Sequence, residues 1–186
     1  MDDVYQCFDI GQRGVIKLLP FIKQKVKDNQ FVLTDKGNLS EFLQKTVGDI
    51  IFNCTNDKIW TIEVKTELDK KHPNLFLETW SNRHWYTPGW MITLMADFMF
   101  YLFYNDDIVY TVELQKLKEW AFHKNQIYKY PEKPQNKYVQ LNDTWGRCVP
   151  IHILEKEVGL KTISLIERQL VQPQASQDCI YPGGLF

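Results

Sequence analysis

Glu63 and Lys65 stand two residues apart in IWTIEVKTE, residues 59–67, a run that otherwise reads as buried strand. Side chains at i and i+2 of a strand share a face, so Glu63 and Lys65 point together while Ile62 and Val64 point into the opposite layer. Upstream, VGDIIFN carries Asp49, Ile51 and Asn53 on one face and Ile50 and Phe52 on the other. The polar segment Thr55-Asn56-Asp57 reads as a hairpin turn, which sets Asn53 against Ile59 and therefore Asp49 against Glu63. Two adjacent carboxylates repel unless a positive charge lies between them, which suggests a divalent cation, and oxygen ligands favour magnesium or manganese. The Lys65 ammonium at the edge of such a site could orient a water or stabilise charge developing on a phosphate. The three residues thus suit phosphodiester hydrolysis. By spacing alone, the Glu-x-Lys pair also suits the wet face of a half-exposed antiparallel sheet, where it would contribute little.

The elements that must position these residues are legible in the apolar spacing. GQRGVIKLLPFIKQKVK, residues 11–27, places Val15, Leu18, Leu19, Ile22 and Val26 near helical spacing, with Pro20 as a kink or break. QFVLTD reads as a short strand, and LSEFLQKT as a helical turn or loop before VGDIIFN. Beyond the solvated run LDKKHPN, NLFLETW reads as a third strand, SNRHWYTPG as a loop, and the residues after Trp90 as a short apolar helix or loop. DFMFYLFY, the turn NDD and IVYTVE form a second hairpin candidate. LQKLKEWAFHK sets Leu114, Leu117 and Ala121 on one helical face. KYPEKPQNKY reads as a surface loop, and WGRCVPIHILEKEVG as a strand leading into a short helix. These elements predict an α/β (α+β) chain. Residues 1–170 are expected to form one domain, with a core over 11–124, an extension over 125–170 and a tail over 171–186.

Composition narrows the function classes. At 186 residues, 44% hydrophobic and 14% aromatic, the chain can bury a real core. Its formal net charge of -1 means that nucleic-acid binding must rest on a local basic patch or on metal ions. Cys7, Cys54, Cys148 and Cys179 form no Cys-x-x-Cys pair, which argues against structural zinc and for reduced thiols in a cytoplasm-like compartment. The start MDDVYQCFDI lacks the basic and apolar segments of a secretory signal. WMITLMADFMFYLFY is interrupted by Asp97 and is too short for a membrane span. Neither a phosphate loop nor a dinucleotide fingerprint is present, so no nucleotide cofactor is expected, and Gly-x-Ser-x-Gly is absent too.

FDIGQRGVIKLLPFI, a short strand, VGDIIF and then IWTIEVKTE together resemble the core of the PD-(D/E)XK nuclease superfamily, the restriction-endonuclease-like fold. In that family an Asp near the start of one strand is followed by Glu-x-Lys on the next, positions that fall on Asp49, Glu63 and Lys65. The resemblance covers roughly the first half of the chain. NLFLETWSNRHWYTPGWMITLMADFMFYLF, with its Glu-x-x-Ser-Asn, Gly-Trp and Ala-Asp, is similar to nuclease-like proteins of phages. That second likeness offers Glu78 as a further acid near the site and Asp97 as a support.

The resemblance implies a mixed central β-sheet flanked by helices, and a magnesium- or manganese-dependent DNA endonuclease working in a cytoplasm, the host's if phage-encoded. Asp49, Glu63 and the Val64 carbonyl would hold metal, and Lys65 would position the attacking water. A homodimer would suit cleavage of both strands. One departure stands out: many members carry a Glu on the first helix, where this chain reads Gln12, Arg13, Gly14 and Val15. A nuclease-like domain with a degraded site, binding nucleic acid or a protein partner, is the alternative.

Trp80, Trp85 and Trp90, with Arg83 and His84 among them, could stack on splayed bases or serve as core and loop anchors. Lys70, Lys71, Lys116, Lys118, His123 and Lys124 are either solvated or phosphate contacts.

Overall fold

A computed structural model of the chain describes residues 2–23, 31–33, 47–53, 59–70, 72–135 and 142–166. In order the elements are α1 (Asp2–Lys23), β1 (Phe31–Leu33), β2 (Ile50–Asn53), β3 (Ile59–Glu67), β4 (Asn74–Asn82), β5 (Thr87–Pro88), α2 (Trp90–Thr93), β6 (Phe98–Phe103), β7 (Ile108–Glu113), α3 (Leu114–Ala121), α4 (Lys124–Lys129), β8 (Lys133–Pro134), β9 (Trp145–Pro150), α5 (Ile151–Glu157) and β10 (Lys161–Ser164). The segment LSEFLQKT and the turn at Thr55 to Asp57 lie outside the described residues, as does the tail. The architecture is α+β, with one mixed and one antiparallel sheet. Contacts divide the chain into two units, residues 1–70, 96–111 and 161–186 in the first and residues 71–95 and 112–160 in the second.

The first unit is built on a six-stranded sheet in the order β1-β2-β3-β6-β7-β10. β1, β2 and β3 run antiparallel in sequence, whereas β3 and β6 are parallel. Parallel neighbours need a long crossover, and the chain makes this one through residues 71–95. Alternation then sorts the side chains. Ile50, Phe52, Ile62, Val64, Phe98, Phe100 and Leu102 face one core, which Leu18, Phe21 and Ile22 of α1 complete, with Val15 and Leu19 packed alongside. The helix continues through the exposed Pro20 to Lys23, so the proline does not end it. Gly14 is buried where α1 meets β3: a Cβ there would lie 1.8 Å from Thr66 Oγ1. A side chain at that position would force the helix away from the strand.

The second unit holds the four-stranded sheet β5-β4-β9-β8, antiparallel throughout. Leu75, Leu77 and Thr79 alternate inward along β4, and α3 buries Leu114, Leu117 and Ala121, the face its spacing predicts. The predicted helix over LQKLKEWAFHK is divided. α3 stops before Phe122, and α4 starts after His123, whose Nδ1 accepts the Asn125 N–H at 3.4 Å. A second sheet, α4 and β10 are additions to the sequence reading. β8 is two residues long and β10 carries no alternating pattern strong enough to declare itself.

Candidate functional site

The β2–β3 ladder runs in the register the turn predicts: Asn53 opposite Ile59, Ile51 opposite Thr61 and Ile50 opposite Ile62. The ladder ends at the Ile50–Ile62 pair, and Asp49 lies one residue beyond that end. The Asp49 N–H donates to the Ile62 carbonyl at 2.8 Å, and Asp49 Oδ2 accepts the Val64 N–H at 2.7 Å. That second bond draws the carboxylate toward the edge of β3, where a further β2 carbonyl would sit if the ladder continued. In a strand the N–H and C=O of one residue leave on the same side, so the Val64 carbonyl shares that edge with the Asp49 carboxylate.

Gly48 makes this approach feasible. Its φ of +97° lies in the left-handed region, and a Cβ would meet the Ile62 carbonyl oxygen at 2.7 Å. The glycine before Asp49 is therefore a geometric requirement for bringing the acid onto β3.

Glu63 is buried, with 7% of its surface exposed, and Lys65 Nζ lies 2.5 Å from its Oε1. A carboxylate removed from water needs a partner to stay charged, and the i, i+2 geometry supplies one from the same strand. The Lys65 side chain keeps 33% of its surface exposed, so the ammonium reaches from the buried acid toward solvent. Across the parallel pair, Glu63 stands beside Met99 and Lys65 beside Tyr101. The Tyr101 hydroxyl donates to Glu67, a contact hidden in the uniformly apolar look of FMFYLF.

Asp97, a candidate support, has a defined task at the head of this pair. Its Oδ2 accepts the Thr61 N–H and hydroxyl, both at 2.9 Å, and its own N–H bonds back to Thr61. The reciprocal clamp fixes where β6 joins β3, two residues before Glu63.

Among the described residues, no three His, Cys, Asp or Glu side chains converge on one point. The donors that the family resemblance implies would be Asp49, Glu63 and the Val64 carbonyl. They are all oxygen, and carry two negative charges beside one lysine, which suits a hard divalent cation such as magnesium or manganese. Glu78 belongs to the second unit, half-buried on β4 opposite Gly146. It lies tight against Gly89, where a Cβ would meet its Cγ at 2.7 Å.

Several candidate phosphate contacts are otherwise engaged. Lys118 Nζ donates to the Leu94 carbonyl, and burial pulls its pKa below the usual lysine value. Lys70 bonds the Tyr110 hydroxyl, and Lys116 pairs with Glu113 at 2.9 Å. The tryptophans also separate: Trp90 is buried and Trp80 donates its indole N–H to Glu132 at 3.2 Å, so both are anchors, while Trp85 is exposed.

No protein-family model matches the sequence, and comparisons with curated proteins and with solved structures return no match. No described helix is long and apolar enough to cross a membrane.

Proposed function

We propose that the chain is a divalent-cation-dependent deoxyribonuclease of restriction-endonuclease-like fold. The observation that carries the reading is Asp49 held at the Val64 N–H, one residue along β3 from a buried Glu63 that is ion-paired to Lys65. The order implied by the resemblance also supports it: a helix and three strands, Asp at the start of the second and Glu-x-Lys on the third, is the order α1-β1-β2-β3.

In this reading Asp49, Glu63 and the Val64 carbonyl hold magnesium or manganese. The bound ion would supply a polarised phosphate and an acidified water. Lys65 positions that water and offsets charge on the phosphate as water adds across the P–O bond, leaving a phosphate monoester and a hydroxyl end. Its tether to Glu63 holds the ammonium in place before substrate arrives, which limits the reorganisation the reaction requires. Two such sites in a homodimer would serve the two strands of a duplex.

A second reading, a degraded nuclease-like domain that binds nucleic acid or a protein partner, is favoured by the absence of an acid at Gln12 to Val15 and of a third converging acidic side chain among the described residues. Plasmid nicking with magnesium or manganese separates the two. The nuclease reading expects cleavage by the wild type and its loss in Glu63→Ala and Lys65→Ala. Duplex, single-stranded and branched DNA all left intact by a wild type that still binds them would replace it with the second reading.

A further inference from the structure

The loop joining β4 to β5 is four residues, Arg83–Tyr86, closed by the Asn82–Thr87 pair. At its tip Trp85 is 74% exposed and Tyr86 81%, and Trp85 is the only exposed tryptophan among the described residues. The other indoles of this unit are occupied. Trp120 and Trp145 donate to Glu157 at 2.8 Å and Asp143 at 2.6 Å, as Trp80 does to Glu132.

The tip is held rather than loose. Asn82 Oδ1 accepts the Trp85 N–H at 3.0 Å, the Arg83 carbonyl accepts the Tyr86 N–H at 3.2 Å, and the Arg83 N–H donates to the Asp143 carbonyl at 2.8 Å. Tyr86 takes a φ of +52°, uncommon for an aromatic residue, which keeps the chain turning while both rings face out. His84 meets Trp85 edge-on, with ring centroids 4.8 Å apart. The Arg83 guanidinium carbon lies over Trp145, 4.2 Å from its ring centroid.

We propose that this hairpin tip is a stacking finger for unpaired bases of a nucleic-acid strand, with Trp85 and Tyr86 as the stacking planes and Arg83 as the contact to the adjoining phosphate. Exposed aromatic rings beside a cation recognise bases without regard to sequence, because every base presents a π-face. The surroundings favour this ligand over a lipid surface. Asn82 to Thr87 hold no wholly aliphatic side chain, the sequence from Thr79 to Ala96 has no acidic residue, and the carboxylate of Asp143, whose carbonyl meets the Arg83 N–H, accepts the Trp145 indole N–H at 2.6 Å. A membrane-seated tip would surround its aromatics with apolar residues. The proposal rests on the nuclease reading only for the class of polymer.

The test is binding of a fluorescein-labelled oligothymidylate by the full chain, read as anisotropy in EDTA. Trp85→Ala is expected to weaken binding about tenfold, Tyr86→Ala by a comparable factor, and Trp85→Phe to restore most of the loss. Lys161→Ala, an exposed lysine of β10 in the first unit, should bind as the wild type does. Thermal melts showing unchanged folding of the variants tie the losses to stacking.

Affinities of both alanine variants within twofold of wild type would overturn the proposal. So would a chain that ignores the oligonucleotide, or one that Trp85 carries onto phosphatidylcholine or phosphatidylserine vesicles instead. Because the assay contains no metal, a chain that binds through the finger but does not cut leaves the proposal standing. A chain that cuts while Trp85→Ala binds normally overturns the finger alone.

Discussion

Two short-range Glu-Lys pairs on this chain show how differently the same residue types can be placed. Lys116 and Glu113 meet at 2.9 Å, with 61% and 38% of their side chains exposed. Such a surface pair contributes between nothing and about 1 kcal/mol, and water would solvate either partner alone. Lys65 and Glu63 meet at 2.5 Å on β3, where the glutamate side chain is only 9% exposed. Burying that carboxylate costs desolvation that an apolar residue in the same place would avoid. An ion pair kept at a buried position, one residue from the Val64 N–H that Asp49 accepts, is what the proposed site needs and a sheet built for stability alone does not.

The largest effect that separates the pairs is on activity. Glu63→Gln keeps the shape of the side chain but removes a ligand charge, and is expected to reduce nicking at least about a hundredfold. Glu113→Gln should leave the rate unchanged; equal losses in the two variants would remove the distinction.

Stability is expected to move the other way. Replacing Glu63 and Lys65 together by methionine should leave the fold as stable or stabilise it by roughly 1 kcal/mol, the low end for buried pairs because Lys65 is a third exposed. Alanine at both Glu113 and Lys116 should change stability by less than about 0.5 kcal/mol. Urea unfolding measures both. A loss of several kcal/mol in the methionine variant would make the β3 pair structural.

The backbone around the site offers a further discrimination. Gly48→Ala should cost about 1–3 kcal/mol, from both the left-handed φ and the contact with Ile62, and should displace Asp49 from Val64. Gly14→Ala should cost a similar amount through overpacking against Thr66, and part of that should return in a Thr66→Ala background. Full additivity of the Gly14 and Thr66 changes would contradict the close approach of α1 to β3.

The smallest effect belongs to the second unit. The Trp120 indole N–H, aided by Lys129 and Gln126, holds the Glu157 carboxyl below its usual pKa, so the folded state favours the ionised form. Its contribution is complete above pH 4.5 and fades as pH falls through the lowered folded value. Trp120→Phe should make the acid limb of a stability-pH curve slightly shallower; an unchanged limb would show that the indole contact is irrelevant.

The sequence carries the local part of the site well, because period-two alternation and a short turn are properties of adjacent residues. Counting out from a three-residue turn predicts the β2–β3 register, and the ladder has it from Asn53–Ile59 to Ile50–Ile62, with Asp49 one residue beyond. What counting does not reveal is non-local. Gly48 stands in the sequence as an ordinary glycine before Asp49, and only its φ and its contact with Ile62 show what it is needed for. Asp97 reads as a break in an apolar run, yet it fastens β6 to β3 across the crossover. Lys118 reads as a solvated helix lysine and turns out to donate to Leu94. Trp80 and Trp85 lie five residues apart, but strand pairing half-buries one and a tight loop exposes the other.

The central claim is that Asp49, Glu63 and the Val64 carbonyl are one metal site beside Lys65. Anomalous diffraction from crystals soaked in manganese tests it without depending on the choice of DNA substrate. A manganese peak bonded to both carboxylates and to the Val64 carbonyl, and absent in Glu63→Gln, is the predicted result. A peak elsewhere, or none while Glu63 remains closed on Lys65, would contradict it.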